Sequence, residues 1–346
     1  MRALKTLLII LIAVVLLAIV LGLVGPKQSH LERKTMIAAP SSLVWDHLKS
    51  LKAQNEWSPF LAMDPEAKVN YEGTDGEVGS KSSWEGKQTG EGDQTVADVE
   101  PGKHIGVDLH FIKPMEGKAK GAFDLVAKGD STEVTWSFDS ENGFVSRIIY
   151  VFKDMDALMG PMFSSGLEKL KQLCEADVAE RAAELKARTF GGYTIDTVDR
   201  PAMSYLGKRA TVKWKDLYPF FATNFPLASK TASKAGWKLA GAPSGIYFSW
   251  DTAGKSTDVM AGIPVQNANS AMVDGLVVQE VPAGKALMVA YHGDYNKTGD
   301  AHAAMEQMIK ANGLQKRDAV IEEYVTDPMQ EPDTAKWLTN IYYLIK

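Results

Sequence analysis

Glu322 and Tyr324 stand two residues apart in Ile321-Glu322-Glu323-Tyr324-Val325. On a β-strand that spacing puts both side chains on one face and Glu323 on the other, which assigns Glu323 to the solvent side. A carboxylate walled by aromatic rings attracts an organic cation through charge pairing and ring quadrupoles, each worth about 1 kcal/mol or more once water is excluded. From spacing alone, an ordinary solvated strand glutamate is the commoner case. What decides between the two is whether other segments deliver rings to the same face. Tyr247 and Trp250 in Tyr247-Phe248-Ser249-Trp250-Asp251, with Phe248 and with Tyr291 in Tyr291-His292-Gly293-Asp294-Tyr295, are the candidates.

An internal repeat suggests how these segments meet. Met203-Ser204-Tyr205-Leu206-Gly207 is echoed by Val289-Ala290-Tyr291-His292-Gly293, and Ala235-Gly236-Trp237 followed by Tyr247 is echoed by Asn312-Gly313-Leu314 followed by Tyr324. Each copy encloses a helix. In the second, Ala301, Ala304, Met305, Met308 and Ile309 form one stripe that ends at Asn312-Gly313. In the first, Trp214, Leu217, Tyr218 and Phe221 begin a similar stripe, interrupted by Pro219 and Pro226. Two strand-helix-strand copies facing one another create a groove on their shared axis, with Tyr247 as the counterpart of Tyr324.

The amino-terminal half has a different grammar. A strand over His30–Ile37 leads into a helix signalled by Pro40-Ser41-Ser42 and by Leu43, Val44, Leu48 and Leu51, and then a polar turn carries Asn55-Glu56-Trp57-Ser58-Pro59-Phe60. Between Val69 and Ser137 come alternating segments separated by glycine-rich turns, the pattern of an antiparallel meander. Met155–Ala187 reads as a long helix with a break at Gly160-Pro161. Trp57, Trp84, Phe111, Trp136, Met159, Met162 and Phe163 either fill a core or line a cavity.

Ahead of both halves, Leu7–Val24 is an uninterrupted apolar run, preceded by Arg2 and Lys5 and closed by Gly25-Pro26. As a helix it spans roughly 27 Å, the thickness of a bilayer core. A secretory signal is the alternative, although its apolar core is normally shorter and ends in a small-x-small site that Leu23-Val24-Gly25 does not supply. The basic residues and the amino group on the short side favour leaving that end in the cytoplasm, with the remainder extracytoplasmic or periplasmic.

Composition narrows the function classes. With 38 Lys and Arg against 43 Asp and Glu, scattered along 346 residues, the chain has no basic face for nucleic acid. One cysteine, Cys174, allows no internal disulfide, and six dispersed histidines show no metal-ligand spacing. No metal and no cofactor are expected.

Strand, short helices, curved antiparallel sheet and long carboxy-terminal helix, with Trp57-Ser58-Pro59, Asp64-Pro65, Val78-Gly79-Ser80 and Trp84-Glu85-Gly86, resemble the SRPBCC (START/polyketide-cyclase-like) helix-grip superfamily. That resemblance implies a sheet wrapped on the long helix around a hydrophobic cavity, with Trp57 and Trp84 among its ligand contacts. The second half, through Tyr291-His292-Gly293-Asp294-Tyr295, Gly313-Leu314, Ile321–Pro328 and the closing strand Leu338–Tyr343, resembles the GyrI-like effector-binding domain. There the glutamate two residues before the tyrosine lies at the bottom of an aromatic pocket and meets cationic or polar ligands, which implies that role for Glu322 with Tyr324, Tyr247, Trp250 and Tyr291 around it. His302 appears where relatives often carry tryptophan. Some members are hydrolases of reactive electrophiles, so a hydrolase using Glu322 is the alternative function. Regulatory members add a DNA-reading helix-turn-helix, which this chain replaces with other segments.

The reading as a whole is an α+β chain in three parts. Residues 1–27 form a transmembrane anchor, 28–188 an SRPBCC-like helix-grip domain, and 189–346 a duplicated strand-helix-strand GyrI-like domain. Its expected role is to bind small hydrophobic or cationic molecules at the cell membrane, for sensing or sequestration.

Overall fold

The computed structural model describes residues 2–269 and 271–346, without the side chains of Arg2, Ala3 and Asp318, so the charge expected at Arg2 lies outside the described residues. Two compact units are present, Met1–Ala182 and Ala183–Lys346.

In the first unit, α1 (Arg2–Val24) contains a 21-residue stretch, Leu4–Val24, long and apolar enough to cross a membrane. β1 (Gln28–Ile37) follows, then three short helices, α2 (Ser41–Asp46), α3 (Leu51–Trp57) and α4 (Pro59–Met63). The segment read as a polar turn at Asn55–Phe60 is therefore mostly helical. Ser50 caps α3 by accepting from the Ala53 amide, the Asp75 carboxylate accepts from the Leu51 amide, and Leu51, Gln54 and Trp57 bury one stripe. β2 (Lys68–Glu72), β3 (Lys81–Gly86), β4 (Gly90–Glu100), β5 (His104–Lys113), β6 (Gly117–Lys128) and β7 (Ser131–Glu141) then complete an antiparallel sheet of order β1-β7-β6-β5-β4-β3-β2.

A nine-residue helix, α5 (Phe144–Phe152), precedes α6 (Met155–Ala187), which runs without interruption through Pro161. The expected break fails on energetic grounds. Proline inside a helix costs about 3 kcal/mol. The stripe of Phe163, Leu167, Leu170 and Cys174 is buried against the sheet, at roughly 1.5–3 kcal/mol for each large side chain.

The second unit opens with the small hairpin β8 (Thr189–Phe190) and β9 (Tyr193–Thr194), then β10 (Asp196–Arg200), β11 (Met203–Lys213), α7 (Leu217–Lys234), β12 (Lys238–Leu239), β13 (Ser244–Asp251), β14 (Ser256–Gln266), β15 (Met272–Val273) and β16 (Leu276–Val281). β17 (Gly284–His292), α8 (Gly299–Ala311), β18 (Lys316–Tyr324) and β19 (Leu338–Ile345) follow. The large sheet has the order β10-β17-β19-β18-β13-β14-β11-β16-β15. It is a duplication about the β13–β18 pair: β17-β19-β18 on one side mirrors β11-β14-β13 on the other.

Each copy also lends its leading strand to the other. β10 pairs with β17 and β16 with β11, so that Arg200 lies opposite Gly284 and Val281 opposite Met203. This register realigns the repeat through Pro201-Ala202 and Pro282-Ala283, in place of the echo between Gly207 and Gly293. α8 buries Ala301, Ala304, Met305, Met308 and Ile309, the stripe its spacing predicts. In α7 the inward stripe is Phe221, Phe225, Ala228 and Ala232, whereas Tyr218 is exposed and Trp214 lies in a 3-10 turn before the helix.

Candidate functional site

Glu322 sits on β18 at the duplication axis, directly opposite Gly245 of β13. Its carboxylate is buried, with the residue only 4% exposed. One oxygen, Oε2, accepts from the Tyr324 hydroxyl at 2.7 Å and the Tyr247 hydroxyl at 3.0 Å. The other, Oε1, lies 2.7 Å from His302 Nε2 and accepts from Thr298 Oγ1 at 3.4 Å. Residues on β13, β18 and α8 and at the entry to α8 therefore converge on one negative charge. His302 is in turn placed by the Tyr343 hydroxyl, 3.1 Å from Nδ1.

The titration of the group follows from these contacts. Burial alone pushes the Glu322 carboxyl up, but the hydrogen bond and charge of His302 and the two tyrosine hydroxyls outweigh it, and the net direction is down. Tyr247 and Tyr324 are pushed well above the usual phenol value, first by burial and then by the Glu322 charge. The cluster is a buried carboxylate ringed by the Tyr247, Tyr324 and Thr298 hydroxyls and the His302 imidazole. Such a group stabilises a positive charge well and abstracts protons poorly.

Rings surround it. Trp250 stacks on Tyr247 with centroids 5.5 Å apart and planes 8° from parallel, and its outer edge is exposed. In a regular strand Tyr247 and Trp250, three apart, would face opposite ways. A bulge between Tyr247 and Ser249 shifts the register and brings Trp250 to the Tyr247 side. Phe221 and Phe225 of α7 approach Tyr324 at 5.7 and 6.0 Å, and Tyr295, itself 4.7 Å from Trp337, approaches it at 5.1 Å. Gly245 lets the two tyrosines pack directly onto the strand, since a Cβ there would lie 2.9 Å from the Tyr247 ring and 3.0 Å from the Tyr324 hydroxyl.

Of the residues singled out in the sequence, Glu322, Tyr324, Tyr247 and Trp250 are brought together. Tyr291 shares their face but lies two strands away, across Thr339 of β19, and its hydroxyl donates to the Asp294 carbonyl. Phe248 points to the other face, beneath the Arg209 guanidinium at 3.6 Å. Glu323, assigned to solvent, is half-buried on that other face and accepts from Asn340 and Tyr342. Trp57 and Trp84 belong to the first unit. Trp57 lies in its core, 5.5 Å from both Phe123 and Trp136, with its indole N–H donating to the His47 carbonyl. Trp84 is half-buried against Phe111, 6.0 Å away.

Four contributors escaped the sequence reading as site residues: Thr298, His302, Tyr343 and Thr339. Only His302 gave any signal, through the resemblance that places it where relatives often carry tryptophan. The Thr339 hydroxyl is buried without a hydrogen-bond partner among the described residues. Among those residues no group of three or more His, Cys, Asp or Glu forms a metal site.

Comparison with known proteins assigns both units. Residues 28–175 match the family described as polyketide cyclase / dehydrase and lipid transport, and residues 193–346 match the GyrI-like small molecule binding domain. No curated protein matches the chain. Among solved structures, the EcmrR C-terminal domain is 22% identical over 44% of this chain and 98% of its own, with a TM-score of 0.40. A Thalictrum norcoclaurine synthase point mutant is 15% identical over 43% of this chain and 96% of its own, with a TM-score of 0.34. The Zhui aromatase/cyclase from a Streptomyces species is 17% identical over 44% and 96%, with a TM-score of 0.34. Past residue 27 the chain thus carries a polyketide-cyclase-type, SRPBCC-like domain followed by a GyrI-like domain.

Proposed function

We propose that this chain is a membrane-anchored small-molecule binding protein that senses or sequesters hydrophobic, cationic compounds through its GyrI-like domain. The observation that carries this reading is the buried Glu322 carboxylate, held ionised by His302, Tyr247 and Tyr324 and roofed by the half-exposed Trp250 ring. A buried charge is costly unless it is compensated. Here hydroxyls and one imidazole compensate it, and a ligand cation sliding between the rings replaces or adds to them at a site already organised for positive charge. The unpartnered Thr339 hydroxyl, between Tyr324 and Tyr291 in the same row, supplies a further polar contact. Trp84 with Phe111 is the contact we assign to hydrophobic ligands in the first domain, with Trp57 behind it in the core.

The anchor is α1, with its short basic end in the cytoplasm and both domains extracytoplasmic or periplasmic. Compounds of this kind partition into lipid, so a tethered pocket meets them at raised local concentration. The hydrolase alternative uses Glu322 as its base and draws its support from His302, a second group 2.7 Å from the carboxylate. Binding is favoured over it because both ring nitrogens of His302 are already engaged, by Glu322 and Tyr343.

Native mass spectrometry of the purified full chain tests the proposal. A co-purifying cationic or amphipathic compound, lost in Glu322→Gln, supports it. An empty chain that also fails to take up added tetraphenylphosphonium overturns it.

A further inference from the structure

The helix α5 has the composition of a buried element and none of its burial. Phe144-Val145-Ser146-Arg147-Ile148-Ile149-Tyr150-Val151-Phe152 contains a single charge, yet none of its residues is buried. Phe152 is 74% exposed and Val145 53%. Val145, Ile149 and Phe152, spaced i, i+4, i+7, form one outward stripe, and Phe144 and Val151 flank it. Water-facing surfaces seldom keep such a patch unless something covers it.

The location of α5 says what covers it. Its first turn packs on the carboxy-terminal end of α1. A Cβ at Gly22 would fall 2.2 Å from the Phe144 ring, and one at Gly25 would fall 2.4 Å from the Arg147 carbonyl. Gly22 is inside the stretch apolar enough to span a membrane, and Gly25 is just past its end. Phe144 therefore sits level with the last turn of the span, and Arg147 sits where the span leaves the apolar layer.

The arrangement is pinned. The Asn142 side-chain amide donates to the Pro26 carbonyl and Ser29 hydroxyl, and its backbone N–H donates to the Lys27 carbonyl. Arg147 Nε donates back to the Asn142 carbonyl, and on the opposite side of α5 Tyr150 packs into the cluster around Phe163 and Met155. Lys27 follows the end of the apolar stretch and Lys153 caps the carboxy terminus of α5.

We infer that α5 is an interfacial membrane helix that lays its Val145–Ile149–Phe152 stripe into the bilayer surface beside the exit of α1, so that lipid contact, besides the tether, seats the SRPBCC-like domain. The inference rests on the reading of α1 as a transmembrane span and is separable from it by experiment. An amphipathic helix of this kind buries its apolar face a few ångströms below the headgroups, with aromatic residues at that depth.

The test uses the full chain reconstituted in phosphatidylcholine vesicles containing spin-labelled lipid. Cys174 is buried and its thiol is pushed up to about 12, so a fluorophore goes to a single introduced cysteine. Labels at Phe152→Cys and Val145→Cys are expected to be quenched roughly twofold or more by headgroup-proximal spin labels, and a label at Asp130→Cys in the β6–β7 turn is not. A label at Leu16→Cys, near the middle of the span, is read with spin labels placed deep on the acyl chains and reports the span independently. Quenching at position 16 but not at 145 or 152 overturns the interfacial helix and leaves the anchor standing. No quenching at any position overturns the anchor itself. Shielding at 152 that grows with the protein-to-lipid ratio instead of with spin-labelled lipid assigns the stripe to a second copy of the chain, and also overturns the proposal.

Discussion

The two domains each gather aromatic rings at their centres, and they use them in opposite ways. In the first, Trp136 lies 4.0 Å from Phe163 in a stack, Trp57 and Phe60 meet Trp136 edge-on and Phe123 lies tilted against it, and the described residues of these clusters are hydrophobic. In the second, Tyr247, Tyr324, Phe221, Phe225 and Trp250 surround a carboxylate. Rings that meet only rings gain from mutual packing and hold a domain together. Rings that meet a buried anion enclose a charge that hydroxyls and an imidazole compensate, the feature on which the proposed cation binding rests. Aromatic content alone does not distinguish a core from a site; the buried charge in the middle does.

That contrast can be broken in several ways, beginning with the largest effect. Phe163→Ala removes the ring that Trp136 stacks on and is expected to cost the first domain about 3–5 kcal/mol in denaturant unfolding while leaving cation binding by the second intact. Loss of binding in a variant whose second domain remains folded would merge the two roles. Gly245→Val pushes a side chain into the Tyr247–Tyr324 pair and is expected to cost about 1–3 kcal/mol through overpacking, with cation affinity falling in calorimetric titration.

The next effect is one of pH. The Glu322 carboxyl is lowered in the folded state, so its contribution to stability is full above the ordinary carboxylate value of 4.5 and is lost as pH falls through the lower folded value. Acid unfolding followed by tryptophan fluorescence should show this loss in the natural chain and not in Glu322→Gln.

The smallest effect has the opposite sign. His104 bridges Asp98 at 2.8 Å and Asp124 at 2.6 Å on the sheet of the first domain. Partial burial lowers it, but the two carboxylates together raise it above its ordinary 6.5. Its contribution is full below that value and fades as pH rises through the folded value. His104→Asn should therefore cost less than about 1 kcal/mol at mildly acidic pH and nothing in alkali, as measured by thermal unfolding.

What was legible in the sequence follows the same division. The bounds of α6, the stripe on α8 and the shared face of Glu322 and Tyr324 all come from local periodicity, which a sequence displays directly. The partners of Glu322 do not. Thr298 and His302 arrive on a different element, Tyr343 on a third, and the Tyr247–Trp250 stack depends on a bulge that alternation alone would not place. Within the first domain, α3 was hidden because its cap, Ser50 with Asp75, is partly remote in sequence. Pro161 suggested a break because local propensity carries no knowledge of the packing that overrides it.

The central claim is that the negative charge of Glu322 selects positively charged ligands. Calorimetric titration of the full chain with tetraphenylphosphonium and with its neutral analogue tetraphenylmethane-type hydrocarbon, made soluble by short polar arms, tests it most directly when natural and Glu322→Gln chains are compared. The account predicts cation affinity falling roughly tenfold or more in Glu322→Gln, about 1.4 kcal/mol or above, with neutral binding unchanged. Equal affinity of both chains for the cation would contradict it.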